Sequence, residues 1–496
     1  MGESVDSDGL ALASWRGRQV VAISILSSSM LAIDGTVSRL ALPAIARDLD
    51  LSFVSLQWVL GAYALAVASI ILLGGALGDQ LGQRNVLLGG VTLFSFASLG
   101  CAAAPSVGWL LAARALEGVG AALIAPVGLA ILESAIRSSD RYSAIGIWVA
   151  LSGAVGAVVP FLGGWLLETT TWRWVYVLAP IAGATVAAVA WRALPVSGTA
   201  RADRRIDVGG AVLCVVALGA LYFGLTSASQ YSALTWNVGG SLAAAAVALL
   251  ALLLREGRAT HPMLPLASFA SEALRASTAV TFLAYIAING FLFLVVVELQ
   301  VVASLGPLAA GAALIPITVM SVILSTRVAR LTERIGVRSP IAAGLMACAA
   351  GCLLAARFDE DTSYVLGVLP ATTAFGVGLA LLVGPLTAVA LGSLGVLHAS
   401  LASGINNAVA RVAGLLAFSA LPLLAGIDGE AYGDPSAFLR GFRTAMWISA
   451  ASMALGGLTT LLTLGRGRPG CGRGAGDIRD DASSDGRHSG AVEDLG

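Results

Sequence analysis

The sequence lacks lysine and has little charge of either sign. All 29 basic residues are arginines, they balance 29 acidic residues, and charged residues make up only 12% of the 496 positions. An average soluble chain carries about 25% charged residues, so this composition excludes the soluble globular class. The missing lysine excludes a Walker A phosphate loop and a lysine Schiff-base enzyme. The zero net charge gives no indication of a nucleic-acid partner.

Histidine and cysteine are also scarce, which argues against a metal centre or a disulfide framework. These residues are dispersed along the chain, at His261, His398, His488, Cys101, Cys214, Cys348, Cys352 and Cys471. A free cysteine in an apolar stretch behaves as a small hydrophobic residue. We therefore predict no metal site, no disulfide and no cofactor.

Hydrophobic residues make up 57% of the chain and fall into long runs. A helix needs about 20 mainly apolar residues to cross the hydrocarbon core of a bilayer. The runs predict fourteen membrane helices, here numbered spans 1 to 14, at 20–41, 55–77, 85–104, 107–131, 143–167, 174–191, 208–228, 236–254, 277–302, 307–326, 340–356, 364–391, 401–425 and 442–464. The predicted fold class is an all-α integral membrane protein in contact with the lipid bilayer.

The arginines are distributed unequally between the two predicted sides of the membrane. With the N-terminus in the cytoplasm, 21 arginines fall on the cytoplasmic side, five on the outer side and three within spans. Cytoplasmic loops of membrane proteins carry an excess of basic residues. The distribution therefore predicts that both termini are cytoplasmic. The arginine-only composition, rich in alanine and glycine, is typical of high-GC bacterial genomes, so we expect a bacterial inner membrane. The polar tail at 465–496 has the composition of a disordered segment.

The loops after spans 2 and 10 share a leucine, an acid, a glycine and an arginine at equal offsets. The positions are Leu77, Asp79, Gly82 and Arg84, and then Leu331, Glu333, Gly336 and Arg338. Duplicated halves are common in transporters. We predict two six-helix halves, spans 1–6 and 9–14, with spans 7–8 as an inserted pair. The predicted boundaries are an N-terminal segment at 1–19, the first half at 20–192, a linker with the inserted pair at 193–275, and the second half at 276–464.

The first half carries charged and glycine-rich motifs at regular places. They are Asp34 and Arg39 in span 1, Gly75-x-Leu77-x-Asp79-x-x-Gly82-x-Arg84 after span 2, Arg114-x-x-Glu117 in span 4, and Gly153-x-x-Gly156-x-x-x-Pro160-x-x-Gly163-Gly164 in span 5. An intramembrane charge is costly, so its default interpretation is functional. Arg114 and Glu117 are three residues apart and can pair on one helix face. Asp34 and Arg39 are five apart and could partly neutralise each other.

These motifs resemble those of the major facilitator superfamily, in particular its fourteen-helix drug/proton antiporters, over residues 20–464. The resemblance implies that the loop motif, with its counterpart Glu333, Gly336 and Arg338, forms a cytoplasmic gate in which Gly75 permits close helix approach. It implies that Arg114 takes part in proton coupling and that span 5 is of the exporter type. The segment from Trp172 to Tyr176 is also familiar from this branch, and we expect it to anchor the chain at the outer interface.

Polar residues of the second half complete the candidate proton and substrate site. Span 13 carries Asn406, Asn407 and Arg411, a pattern also seen in this branch. Span 9 carries Glu298, where the branch commonly has an aromatic residue. Two placements of Glu298 are open, in the central cavity or in an outer vestibule.

The sequence therefore predicts a secondary transporter that exports amphipathic or cationic small molecules in exchange for protons. The family resemblance implies a monomer. Protons and a small-molecule substrate are the expected partners, and 100 mV supplies about 2.3 kcal/mol per charge, roughly a 40-fold accumulation. The alternatives are an importer or metabolite exchanger of the same fold, and a membrane sensor that transports nothing.

Overall fold

The computed structural model describes residues 9–194, 207–231, 235–259, 262–394 and 399–464. As predicted, it contains fourteen helices that are long and apolar enough to cross a membrane. They are Trp15–Leu49, Phe53–Leu81, Gln83–Ala102, Val107–Ala135, Ser139–Thr169, Trp172–Ala193, Val208–Ser229, Trp236–Glu256, Glu272–Val301, Pro307–Ile335, Arg338–Ala355, Tyr364–Gly392, Leu401–Ala425 and Pro435–Thr463. His261, His398, His488, Cys471 and the tail from 465 lie outside the described residues.

Several helices extend beyond the predicted apolar runs because polar residues cap them. Span 1 begins after Ser14, whose hydroxyl accepts a hydrogen bond from the backbone N–H of Gly17 at 3.0 Å. Such a cap satisfies one of the unpaired N–H groups of the first turn. Spans 2 and 10 end at Gly82 and Gly336, with φ values of +86° and +82°. Glycine adopts this left-handed conformation without a steric penalty, which explains its equal place in both loop motifs.

The two six-helix halves have the same internal packing, which supports the predicted duplication. In the first half, span 4 packs against spans 2 and 3, span 3 against span 6, and span 1 against spans 5 and 6. In the second half, span 12 packs against spans 10 and 11, span 11 against span 14, and span 9 against spans 13 and 14. Each contact of one half has its counterpart eight spans later. The halves meet through two equivalent seams, span 2 with span 13 and span 5 with span 10.

The halves are joined at the ends that the arginine distribution predicts to face outwards, here called the outer ends. Gln57 of span 2 donates a hydrogen bond to the Phe418 carbonyl at 2.9 Å. Gln300 of span 9 donates to the Leu40 carbonyl at 3.1 Å, and Glu168 of span 5 accepts from the Leu308 N–H at 3.1 Å. At the opposite ends, the motif acids Asp79 and Glu333 are exposed. In the predicted orientation, the halves are therefore closed against each other on the outer side.

The inserted pair covers one of the two seams. Span 7 packs against both span 2 and span 13, whereas span 8 packs against span 7. Tyr222 of span 7 is fully buried and donates a hydrogen bond to the Gln57 carbonyl at 2.7 Å, in the space left by Gly61. Ser229 donates to the Ile427 carbonyl at 3.0 Å. Span 7 therefore contacts both halves.

The segment at 172–176 is mostly buried, so its predicted role as an interfacial anchor is wrong for Trp172 and Tyr176. Trp172 is 3% exposed, and its indole N–H donates to Asp48 at 3.0 Å. Arg173 pairs with the same Asp48 oxygen at 2.7 Å. Among these aromatic residues, Trp174 is the exposed one. A buried indole N–H needs an acceptor, and the carboxylate provides it.

Candidate functional site

Three charged side chains form a buried ion cluster inside the first half. The Arg114 guanidinium contacts Asp34 Oδ1 at 2.6 Å and Glu117 Oε2 at 2.7 Å, both through Nη1. Arg114 is 1% exposed, Asp34 5% and Glu117 0%. The pairing of Arg114 with Glu117 follows from their spacing, whereas Asp34 comes from span 1.

Neighbouring groups of spans 1, 2 and 3 hold this cluster in place. Arg114 Nε donates to the Val59 carbonyl at 3.1 Å, and the Ser38 hydroxyl donates to Asp34 Oδ1 at 3.0 Å. The Cys101 thiol lies 3.6 Å from Glu117 Oε2 as a weak donor. The guanidinium carbon also lies 4.6 Å from the centre of the Tyr63 ring, within the range of a cation–π interaction. Charge-assisted bonds of this kind fix the geometry as well as the charge.

The cluster has one negative charge more than it can neutralise. Two carboxylates share one guanidinium, and one oxygen of each, Asp34 Oδ2 and Glu117 Oε1, has no hydrogen-bond partner among the described residues. A buried net charge is expensive in a medium of low dielectric constant. Binding one proton would make the cluster neutral, so the arrangement is suited to take up and release a single proton.

Arg39 does not pair with Asp34, contrary to the possibility raised by their spacing. Its Nη2 lies 3.4 Å from Asn289 Oδ1 of span 9, across the interface of the halves, and its Nε has no partner among the described residues. Asp34 instead forms an ion pair with Arg114 of span 4. Arg39 and Arg411 are close enough to act on each other electrostatically, and both act on Asp34 or the tyrosines beside it.

The polar residues of span 13 lie in different surroundings. Asn406 accepts a hydrogen bond from Thr281 at 2.6 Å, and Asn407 donates to the Ser403 carbonyl at 3.1 Å. Arg411 is exposed and forms no ion pair with a described residue. It acts electrostatically on Tyr63 of span 2 and Tyr285 of span 9, which places it between the halves. The structure thus brings Arg39 and Arg411 close to each other between the halves.

Glu298 lies neither in the central cavity nor in an outer vestibule. It is 0% exposed. Asn289, which meets Arg39 across the interface of the halves, lies nine residues earlier, or about two and a half helical turns. Glu298 therefore points to the opposite face of span 9, into the interior of the second half.

The loop arginines act inside their own halves in this conformation. Arg84 donates to the Trp191 carbonyl at the end of span 6, at 2.8 Å, and its guanidinium lies over the Trp191 ring. Arg338 donates in the same way to the Leu461 carbonyl at the end of span 14. A gate between Asp79, Arg84 and the opposite half stays a prediction for the outward-facing state.

Close helix approach near the first loop motif depends on Gly74 rather than Gly75. A Cβ atom at Gly74 would overlap the Ala122 carbonyl, whereas one at Gly75 would make an ordinary contact with Pro126 at 3.8 Å. The close approach of spans 2 and 4 that was predicted for Gly75 therefore depends on Gly74, one position earlier.

The glycines of span 5 lie at the seam with span 10 and against span 1. A Cβ at Gly164 would lie 2.6 Å from Leu308 Cα, and one at Gly153 would lie 2.9 Å from a Val322 methyl group. Gly156 faces Thr318 at 3.6 Å, and Gly163 faces Val37 at 2.7 Å. The Pro160 carbonyl faces Gly311. The motif therefore permits close approach of the halves at their outer ends.

Sequence reasoning missed several residues of the site, namely Ser38, Val59, Tyr63, Cys101, Tyr285 and Asn289. Ser38 lies one helical turn after Asp34, a spacing that could have indicated a hydrogen bond on one face. Val59 contributes only its backbone carbonyl, for which a sequence carries no signal.

Comparison with known proteins agrees with this fold. The family model described as Major Facilitator Superfamily matches residues 24–418. The chain is 33% identical to the puromycin resistance protein pur8 of Streptomyces alboniger, over 84% of this chain and 83% of that protein. It is 30% identical to the tetracenomycin C resistance and export protein of Streptomyces glaucescens, over 86% and 79%. It is also 33% identical to the multidrug resistance protein Stp of Mycobacterium tuberculosis, over 79% and 73%.

Solved structures share the fold at low sequence identity. A D-xylose–proton symporter superposes with a TM-score of 0.65 at 15% identity, over 90% of this chain and 98% of that one. An inward-facing bacterial homologue of the lysosomal transporter Spinster gives 0.64 at 15% identity, over 91% and 97%. These neighbours show the fold of the chain. With its matching family model, resistance relatives and fourteen membrane helices, the chain belongs to the major facilitator superfamily.

Proposed function

We propose that this protein exports amphipathic small molecules in exchange for protons, by alternating access of a central cavity. The observation that carries the proposal is the buried cluster of Asp34, Arg114 and Glu117, in which two carboxylates share one guanidinium. Its relatives include antibiotic and multidrug resistance proteins, one of them an export protein by name. We place the protein in a bacterial cell membrane, as a monomer with cytoplasmic termini and no cofactor.

The cluster offers a simple means of coupling. In the inward-facing state, loss of a proton to the cytoplasm leaves the cluster with a net negative charge, which is costly to keep buried. Uptake of a proton from outside neutralises the cluster. The two protonation states can then favour different arrangements of the halves, with the membrane potential driving the inward proton.

The proposal is tested with Asp34→Asn and Glu117→Gln, which keep the shape and the hydrogen bonds to Arg114 but cannot bind the proton. We expect each to reduce dye efflux from expressing cells at least tenfold, and a protonophore to reduce wild-type efflux equally. The matched control is Asp48→Asn, since that exposed acid pairs with Arg173 outside the cluster. Wild-type efflux that survives the protonophore, or unchanged efflux in both variants, would contradict proton antiport.

The charges around the cavity argue against the cationic part of the predicted substrate range. Arg39, Arg114 and Arg411 contribute three positive charges, against two from Asp34 and Glu117. Arg39 and Arg411 form no ion pair with a described residue. We therefore propose that neutral amphipathic molecules with hydrogen-bond acceptors are preferred over permanent cations.

Nile red and Nile blue test this preference, because they share a ring system but only Nile blue is a cation. We expect the wild type to export Nile red better, and Arg39→Asn to shift the ratio towards Nile blue about tenfold. One charge at about 10 Å and an effective dielectric constant of about 20 is worth roughly 2 kcal/mol. Arg440→Asn, at an exposed outer position, is the control. An unchanged export ratio in Arg39→Asn would count against the proposed preference.

A further inference from the structure

Two arginines within the membrane helices lack the counter-charges that Arg114 has. Arg114 contacts two carboxylates and a backbone carbonyl. Arg39 of span 1 and Arg411 of span 13 form no ion pair with any described residue. A charged side chain within a membrane span is costly and is normally paired. Two unpaired guanidinium groups between the halves therefore indicate that a counter-charge comes from outside the chain.

The hydrogen-bonding capacity of Arg39 is largely unused. A guanidinium carries five N–H donors. Nη2 of Arg39 meets Asn289 Oδ1 at 3.4 Å, which is a long contact, and the buried Nε has no partner among the described residues. The Asn289 amide nitrogen donates to the Tyr285 carbonyl at 2.9 Å, and its oxygen is thereby left for Arg39. Asn289 thus orients the guanidinium without neutralising it, and donors remain for a further acceptor.

Arg411 lies near the same asparagine. A Cβ atom at Gly414, one helical turn after Arg411, would lie 3.1 Å from the Asn289 side chain that Arg39 contacts. The two guanidinium groups also act on each other electrostatically. Two cations that approach each other repel, and an anion between them relieves this repulsion. The packing of spans 1, 9 and 13 therefore creates a place that favours an anion.

The guanidinium of Arg411 is accessible to a ligand. Arg411 and Asn407 are one turn apart on span 13, and both are exposed although they lie within a membrane helix. Tyr63 of span 2 and Tyr285 of span 9 are half-buried and close enough for Arg411 to act on them electrostatically. Ligand sites commonly combine aromatic side chains with a few polar groups that fix orientation. This combination is suited to a molecule with an aromatic body and an anionic group.

The sum of the charges between the halves corresponds to one anion. With both acids ionised, Arg39, Arg114 and Arg411 contribute three positive charges, and Asp34 and Glu117 contribute two negative charges. Asp34 also acts on Arg39, but its ion pair is with Arg114. The remaining charge of +1 is neutralised by a single monoanion.

We propose that Arg39 and Arg411 together bind the carboxylate of an amphipathic aromatic molecule, so that organic acids are the preferred substrate class. The proposal rests on the export function proposed above, and it extends the charge preference from neutral over cationic molecules to anionic over neutral ones. Guanidinium groups are well suited to this role, because their N–H donors match the two oxygens of a carboxylate.

The test compares the binding of biphenyl-4-carboxylate with that of its neutral amide, biphenyl-4-carboxamide, since the two probes differ in charge but hardly in shape. Binding is measured by equilibrium dialysis of the full chain in detergent micelles at neutral pH, with empty micelles as the blank. We expect the wild type to bind the carboxylate about tenfold more tightly than the amide. Arg39→Gln and Arg411→Gln should each reduce this preference to about twofold or less. Unchanged binding of the amide shows that these variants are folded.

Glu117→Gln and Arg440→Gln are the controls. Glu117→Gln alters the Arg114 cluster but leaves Arg39 and Arg411 in place, and Arg440 is exposed at the outer ends. Both variants should keep the preference for the carboxylate. If Glu117→Gln lost the preference while Arg39→Gln and Arg411→Gln kept it, the anion would belong to Arg114 and the proposal would be wrong.

Equal affinity of the wild type for the two probes would also overturn the proposal. Acetate and chloride serve as competitors for the bound carboxylate. Weak competition by both supports recognition of a whole amphipathic acid, whereas displacement by either at the concentration of the probe would show a site for small anions and overturn the assignment of the substrate class. Dialysis requires no gradient. Failure of proton-driven export would instead appear as protonophore-resistant efflux, with the preference for the carboxylate intact.

Discussion

Replacing Arg114 with leucine is expected to abolish export and to lower the stability of the purified protein by about 3–5 kcal/mol. The substitution leaves Asp34 and Glu117 buried without their shared counter-charge, in a place where both are at most 5% exposed. Such a loss costs far more than the pair itself contributed, because the remaining charges cannot regain water. Thermal unfolding in detergent and dye efflux measure the two effects.

The matched control for this prediction is Arg137→Leu. Arg137 and Asp140 have the same three-residue spacing as Arg114 and Glu117, but Arg137 is 43% exposed. An exposed pair contributes about 0–1 kcal/mol. Combining Arg114→Leu with Asp34→Asn and Glu117→Gln should restore stability but not efflux, since no charge is then left buried. If Arg114→Leu and Arg137→Leu lowered the free energy of unfolding equally, burial of the cluster's charges would not be the cause of the destabilisation.

Replacing Gly311 with valine is expected to prevent closure of the outer ends and to reduce export at least tenfold, while the halves still fold. A Cβ atom at Gly311 would overlap the Pro160 carbonyl, which is backbone and cannot rotate away. Overpacking of this kind costs about 1–3 kcal/mol. Since the contact lies between the halves, the halves can relieve it by separating, which shifts the equilibrium towards the outward-open state by about tenfold to 100-fold.

The same change at Gly146 of span 5 provides the control, since nothing lies within 4 Å of a Cβ there. Spin labels on the outer ends should report a longer distance for Gly311→Val than for Gly146→Val, with similar yields of folded protein. A Gly311→Val variant with wild-type label distances and efflux would contradict the assigned role of this seam.

The sequence predicted the number of membrane helices because each crossing needs a long apolar run, and the pairing of Arg114 with Glu117 because helical spacing is local. It could not predict that Asp34 meets Arg114, since 80 residues separate them and the contact depends on how spans 1 and 4 pack. The same reason explains why Arg39, only five residues from Asp34, contacts Asn289 of the other half instead.

The other differences between prediction and structure arise because the sequence does not show which face of a helix points to which neighbour. Gly74 and Gly75 are adjacent, yet only Gly74 faces the Ala122 carbonyl. Glu298 and Gln300 are two residues apart, yet Gln300 bonds span 1 across the interface whereas Glu298 is buried in its own half. The apolar composition of each run predicts that such residues lie in the membrane. The rotation of a helix about its own axis depends instead on the helices that pack against it. That rotation decides which residues reach the cavity.

Arg84 and Arg338 each connect the third helix of their half to its last helix by a hydrogen bond to a backbone carbonyl. Every residue has a backbone carbonyl, so this hydrogen bond does not require a particular side chain at the accepting residue. Trp191 and Leu461, which occupy the two equivalent places, have unrelated side chains. After a gene duplication, the residues at these two positions can diverge while the hydrogen bond between the helices is kept. A search for paired substitutions would therefore overlook a contact that both copies have retained.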